Sequence, residues 1–225
     1  MFFIEINQHF GEQTKYLLLF ILTIGIAWVV LFFYSYKRYG SKRTLIYFLP
    51  MFIAALIIES AGVACGRYSY PGYLLYLSVG GGGVPPIILL GWTVNLFLFY
   101  GLAKYVVARM YQKRNHLQIL LISFAAGLFA VCLDLLEDPL AHYNNWWIWE
   151  GTLTGVKFYD VPLLNFVGWF FLIFFMTLAT LLIERSHFSE NRKVLLSVSS
   201  LSITGTIIFI MQGLFSMIFR TLGLS

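Results

Sequence analysis

The sequence predicts an all-α membrane protein, a polytopic transmembrane helical bundle of about six spans. Three observations predict it. Hydrophobic residues make up 60% of the 225 residues, and the mean hydropathy is +0.80. Charged residues make up only 11%, less than half of the roughly 25% that a water-facing surface carries. Apolar runs of about 20 residues recur along the chain, the length a helix needs to cross a bilayer. This composition excludes a disordered chain and a disulfide-rich secreted domain. A pI near 9.2 does not make the chain a nucleic-acid binder, because the cations have a simpler explanation given below.

The six runs are Tyr16–Tyr36, Leu45–Ala64, Val84–Val107, Leu117–Leu136, Val161–Ile183 and Val194–Phe219, with seven spans as the alternative count. The first is not a signal peptide, since Glu5 and Glu12 precede it and no small-residue cleavage pattern follows. No repeat or linker divides the chain, so residues 1–225 read as one integral membrane domain. Cys65 and Cys132 are too few for a disulfide framework and read as buried free thiols.

Eleven of the 15 cations fall on one side of this alternation. Lys37, Arg38, Lys42 and Arg43 follow span one. Lys104, Arg109, Lys113 and Arg114 lie around the connection from span three to span four. Arg185, Arg192 and Lys193 follow span five. By the positive-inside rule these face the cytoplasm, and both termini lie outside. Attraction to anionic membrane lipid follows from the same charge.

The acids are distributed the other way. Glu184 and Glu190 sit in a basic loop; the other eight lie toward the opposite side. Glu5 and Glu12 read as part of a solvated tail. Glu59 stands inside span two, where an acid costs a few kcal/mol and marks function by default; a structural pairing with Arg67 is the alternative. Asp134 and Asp138 are spaced i, i+4 on one helical face, with Glu137 beside them. Because Asp138 precedes Pro139, the helix is expected to end there. Two carboxylates this close in apolar surroundings disfavour ionising together, so one is expected to keep its proton, as a general acid must.

The connections on the acidic side carry Gly80–Gly83, read as a flexible tip or a close approach of backbone to ligand. Trp146 and Trp147 read as interface anchors or as an aromatic wall beside a hydrophobic substrate. His9, His116, His142 and His187 are scattered, which disfavours a di-iron hydroxylase or desaturase. No GxGxxG opens a βαβ unit, and no Ser–His–acid set shares one side. What remains is carboxylic-acid chemistry in an oily, aromatic setting.

Two stretches resemble a known family. One runs Glu59-x-x-Gly62, Gly66-x-Tyr68-x-Tyr70, Val84-Pro85 and Trp92. The other runs Asp134, Asp138-Pro139, Trp147-x-Trp149, Gly151, Tyr159, Val161-Pro162, Asn165-Phe166 and Gly168-Trp169. Together they are similar to the carotenoid biosynthesis family that includes carotenoid 1′,2′-hydratases and bisanhydrobacterioruberin hydratases. Asp160 stands where that family commonly has Gly. The resemblance implies addition of water to the terminal C=C of an acyclic carotenoid, with no metal or redox cofactor. It implies Asp134 as proton donor, Asp138 sharing the proton and Glu59 orienting water. Trp92, Tyr68, Tyr70, Trp149 and Trp169 would bind the substrate, and Asn165 would hydrogen-bond the water or a carboxylate. The partners implied are a lipophilic carotenoid or isoprenoid, membrane lipid and other enzymes of the carotenoid pathway, with no nucleic acid. Two rivals stand beside this reading. Asp134-Leu-Leu-Glu-Asp138 has the DxxxD form of a Mg²⁺-dependent isoprenoid transferase, and intramembrane acids also serve proton-coupled transporters.

Overall fold

A computed structural model describes residues 2–6, 14–150 and 156–222; for residues 2–6, Thr14 and most of 201–220 it describes the backbone alone. Six helices follow one another: α1 (Thr14–Tyr39), α2 (Ser41–Ala64), α3 (Pro86–Met110), α4 (His116–Tyr143), α5 (Leu163–Arg185) and α6 (Glu190–Thr221). All six coincide with the expected runs. The first five are long and apolar enough to cross a membrane. α4 packs on α3 and α5, α6 packs on α2 and α5, and α1 lies against α2 and α3.

Helices α2 to α5 supply most of the buried residues, among them Met51, Leu89, Ile122, Ile173 and Met176. The outward faces carry exposed apolar side chains such as Leu22, Val30, Leu98 and Leu136. That is the surface a bilayer requires, where every backbone polar group is satisfied inside a helix and the side chains meet hydrocarbon.

The connections opposite the basic loops contain short antiparallel strands that the apolar pattern does not predict. They are β1 (Phe2–Ile6), β2 (Tyr68–Ser69), β3 (Leu75–Val79), β4 (Gly82–Val84), β5 (Ile148–Trp149), β6 (Lys157–Phe158) and β7 (Val161–Pro162). β1 pairs with β3, setting Glu5 opposite Tyr76, and β3 pairs with β4. The segment around Glu5, expected to be a solvated tail, is therefore an edge strand; Glu12 lies outside the described residues. Gly80 and Gly81, at φ 76° and 105°, form the turn between β3 and β4. The next glycine, Gly82, lies against α2 so closely that a Cβ there would stand 2.1 Å from the Ser60 carbonyl oxygen. The glycine run is a tight turn followed by a backbone-to-backbone contact.

Two further expectations are corrected. α4 continues through Pro139 for another turn and stops at Tyr143. Proline costs a helix one backbone hydrogen bond and crowds the carbonyl four residues back. In a bundle, neighbouring groups tolerate that defect. Cys65 and Cys132 are free but exposed at the chain surface. Cys132 is next to the buried face of α4 without being on it, since a one- or two-residue step turns a helical side chain away from Asp134 and Ala130.

Candidate functional site

The site is built from two helix ends of the same kind. At the end of α2, Gly66 (φ 65°) lets Arg67 N–H reach the Gly62 carbonyl and its own N–H reach Val63. At the end of α4, Asn145 (φ 53°) does the same: Trp146 N–H reaches the Ala141 carbonyl and Asn145 N–H reaches His142. Both are Schellman motifs, which need a left-handed residue, and Gly and Asn are the residues that adopt it at least cost. Beyond these caps β2 and β5 pair, Tyr68 opposite Trp149 and Ser69 opposite Ile148. This ribbon lays Tyr68, Tyr70, Trp147 and Trp149 over the ends of α2 and α4.

Beneath it, Glu59 is buried, 6% exposed. Tyr70 Oη donates to its Oε2 at 2.6 Å and Trp92 Nε1 donates to its Oε1 at 2.7 Å. The Tyr68 hydroxyl is a third donor. Each carboxylate oxygen therefore has a partner. Burial and the adjacent Glu59 push the phenols of Tyr68 and Tyr70 well above their ordinary range, so both remain protonated donors. Gly62 makes room for this contact: a Cβ on it would stand 2.1 Å from Tyr68 Oη. The aromatic residues thus meet Glu59 by their polar edges. Trp92 also packs on Trp169, ring centroids 4.0 Å apart.

One helix away, Asp134 is fully buried and Asp138 is 3% exposed. Because α4 does not break at Pro139, the two carboxyl groups stay one turn apart and touch each other. Asn165, near the start of α5, spans them. Its Nδ2 donates to Asp134 Oδ2 at 2.9 Å and also to Asp138 Oδ2. The Trp147 indole hydrogen-bonds Asp138 as well. Asp134 Oδ1 is buried and has no hydrogen-bond partner among the described residues, and the same holds for Trp149 Nε1. Glu59 lies within electrostatic range of both aspartates, so the three acids form one cluster.

Rings close the cluster. Tyr68 stands edge-on to Trp149 at 5.0 Å and to Tyr70 at 5.6 Å. Tyr70 stands edge-on to Trp147 at 6.2 Å. Trp146 stacks on Phe20 of α1 at 4.9 Å. Trp146 and Trp147 are 9% and 7% exposed, packed inside the chain and not set outward as interface anchors are. Glu137 is half-buried beside the pair. Gly151 lies outside the described residues. Among the described residues no three His, Cys, Asp or Glu side chains are arranged to hold a metal ion.

Sequence reasoning missed two features. Trp147 was legible only as half of a Trp-x-Trp pair, with nothing local to separate its role from that of Trp146. Glu184, placed in a basic loop, closes α5 and accepts hydrogen bonds from Tyr47 and Tyr100, the latter at 2.6 Å.

The family model for carotenoid biosynthesis proteins matches residues 18–223. No curated protein and no solved structure matches the chain. The match spans all six helices and every residue of the acid cluster: the chain belongs to the carotenoid biosynthesis protein family and is a membrane protein of the carotenoid pathway.

Proposed function

We propose that the protein is a hydratase that adds water to the terminal C=C of an acyclic carotenoid. The observation that carries this reading is the Asp134–Asp138 pair, bridged by one amide, with one buried carboxyl oxygen left without a partner among the described residues. Two touching carboxylates in an apolar interior share a proton more readily than they hold two charges. The unpartnered Asp134 Oδ1 is where that proton can be offered to a substrate.

The reaction follows from acid catalysis. Asp134 transfers its proton to the less substituted carbon of the terminal double bond, and the π electrons form the new C–H bond. The neighbouring carbon becomes a tertiary cation. A water oxygen bonds to it, and the water's surplus proton passes to Glu59 and returns to the aspartate pair. The sum is alkene plus water giving a tertiary alcohol, with the acids restored. Electron-rich rings close to the cluster favour the cation, and preset donors around the acids need no reorganisation as charge moves. A carotenoid end has no charged group, so its binding rests on burial of apolar surface, about 25 cal/mol per Å².

In a host that accumulates an acyclic carotene, Asp134→Asn and Glu59→Gln are expected to abolish the 1-hydroxylated pigment while the protein still accumulates in the membrane. Undiminished product from both variants would overturn the assignment.

A further inference from the structure

A second site lies at the opposite, basic end of the bundle. A cavity of about 400 Å³, open to the outside, is lined there by the ends of α1 to α6, a size within the range of small-molecule sites. Five cations line it: Arg43, Lys104, Arg114, Arg185 and Lys193. Only two acids, Glu184 and Glu190, line it with them.

Those acids are already engaged. Glu184 accepts from Tyr47 and Tyr100 and faces Lys104 at 3.4 Å. Glu190 faces Lys193 at 3.3 Å and Arg43 at 3.7 Å. Arg185 is held by neutral groups, the Asn115 carbonyl at 3.2 Å and Gln118 Oε1 at 2.8 Å, which fix its direction and leave its charge in place. Arg114 has no ion pair or hydrogen bond among the described residues. Three positive charges are thus uncompensated around one small volume.

The positive-inside rule accounts for cations near a membrane face, but it does not ask that they converge on one cavity. Lys193, only 8% exposed, donates to Glu190 Oε1 and to the Glu184 carbonyl, each at 3.3 Å, so a buried and paired ammonium fixes one wall of the cavity. The deeper wall, with Ile46, Ile122 and Leu181, is apolar and leads toward the membrane interior. Planar guanidinium forks beside ammonium groups suit the oxygens of a phosphate.

We infer that this cavity binds a phosphorylated anion, either the headgroup of an anionic membrane lipid or a soluble diphosphate. The inference is independent of the proposed hydration, which takes place among the acids at the other end. The test uses the full-length chain purified in a neutral detergent. Calorimetric titration with inorganic pyrophosphate reads the soluble source. Mass spectrometry of phosphatidylglycerol retained by the protein, after exchange into phosphatidylcholine nanodiscs doped with phosphatidylglycerol, reads the lipid source. Arg114→Gln, at an exposed residue with no ion pair or hydrogen bond among the described residues, and Arg185→Gln are compared with the parent chain, with thermal melting as the check on folding. Loss of charge-assisted hydrogen bonds from either residue is expected to weaken pyrophosphate binding, or lower phosphatidylglycerol retention, by roughly tenfold. Binding of neither probe, or binding that Arg114→Gln leaves unchanged, would overturn the inference.

Discussion

At the scale of single residues, Asn165 carries more than one hydrogen bond's worth of work. One amide group satisfies two acids that would otherwise repel, so its removal leaves both without a shared donor. Asn165→Ala is expected to destabilise the protein by about 1.5–3 kcal/mol, the range for hydrogen bonds to charged groups, and to reduce hydroxylated pigment at equal protein level. Detergent melting and pigment chromatography check the two halves of that statement. The acids themselves were legible in the sequence, because a carboxylate inside an apolar run is rare enough to stand out. The identity of their partners was only partly legible. Tyr70 and Trp92 lie 11 and 33 residues from Glu59, and no periodicity links such positions. Only the recurrence of family motifs brought them together, and the molecule joins them to Glu59 through a phenol hydroxyl and an indole N–H.

At the scale of elements, helix positions follow from the length of apolar runs, which the bilayer dictates, and all six runs became helices. The ends were harder to read. The proline rule is a steric bias against helix at the preceding residue, and in this bundle α4 overrides it and runs one turn further, to Tyr143. The hairpin of β6 and β7 shows a local rule that does hold. Tyr159 and Asp160 both have positive φ, 48° and 64°, as a two-residue turn between paired strands demands. Asp, at the second of these positions, is among the few non-glycine residues that tolerate the left-handed region. Asp160→Gly is therefore expected to leave stability unchanged or raise it by up to about 1 kcal/mol, whereas Asp160→Val, β-branched, should lower it. Thermal midpoints of the purified variants decide this. β1 was not legible at all: five residues carry too little alternation to distinguish a strand, and its partner β3 lies some 70 residues further along the chain.

At the scale of the whole molecule, the two ends of the bundle differ in kind. One gathers Glu59, Asp134 and Asp138 under an aromatic ribbon; the other gathers cations around a cavity. The sequence foretold that polarity from charge counts alone, since cations and acids segregate by loop. It did not foretell Glu184, whose partners Tyr47 and Tyr100 are 137 and 84 residues away. Charge counts also predict sidedness, with the acid cluster away from the cytoplasm. The molecule carries its own means of reading that out. Cys65 is exposed just beyond the last turn of α2, while Cys132 is exposed within the apolar length of α4. One thiol borders water and the other borders hydrocarbon. A charged, membrane-impermeant maleimide added to intact cells is expected to label Cys65 and spare Cys132, and Cys65→Ser should abolish the label. Labelling that appears only after the membrane is opened would reverse the orientation. The native chain thus serves as its own topology reporter, with no engineered cysteine required.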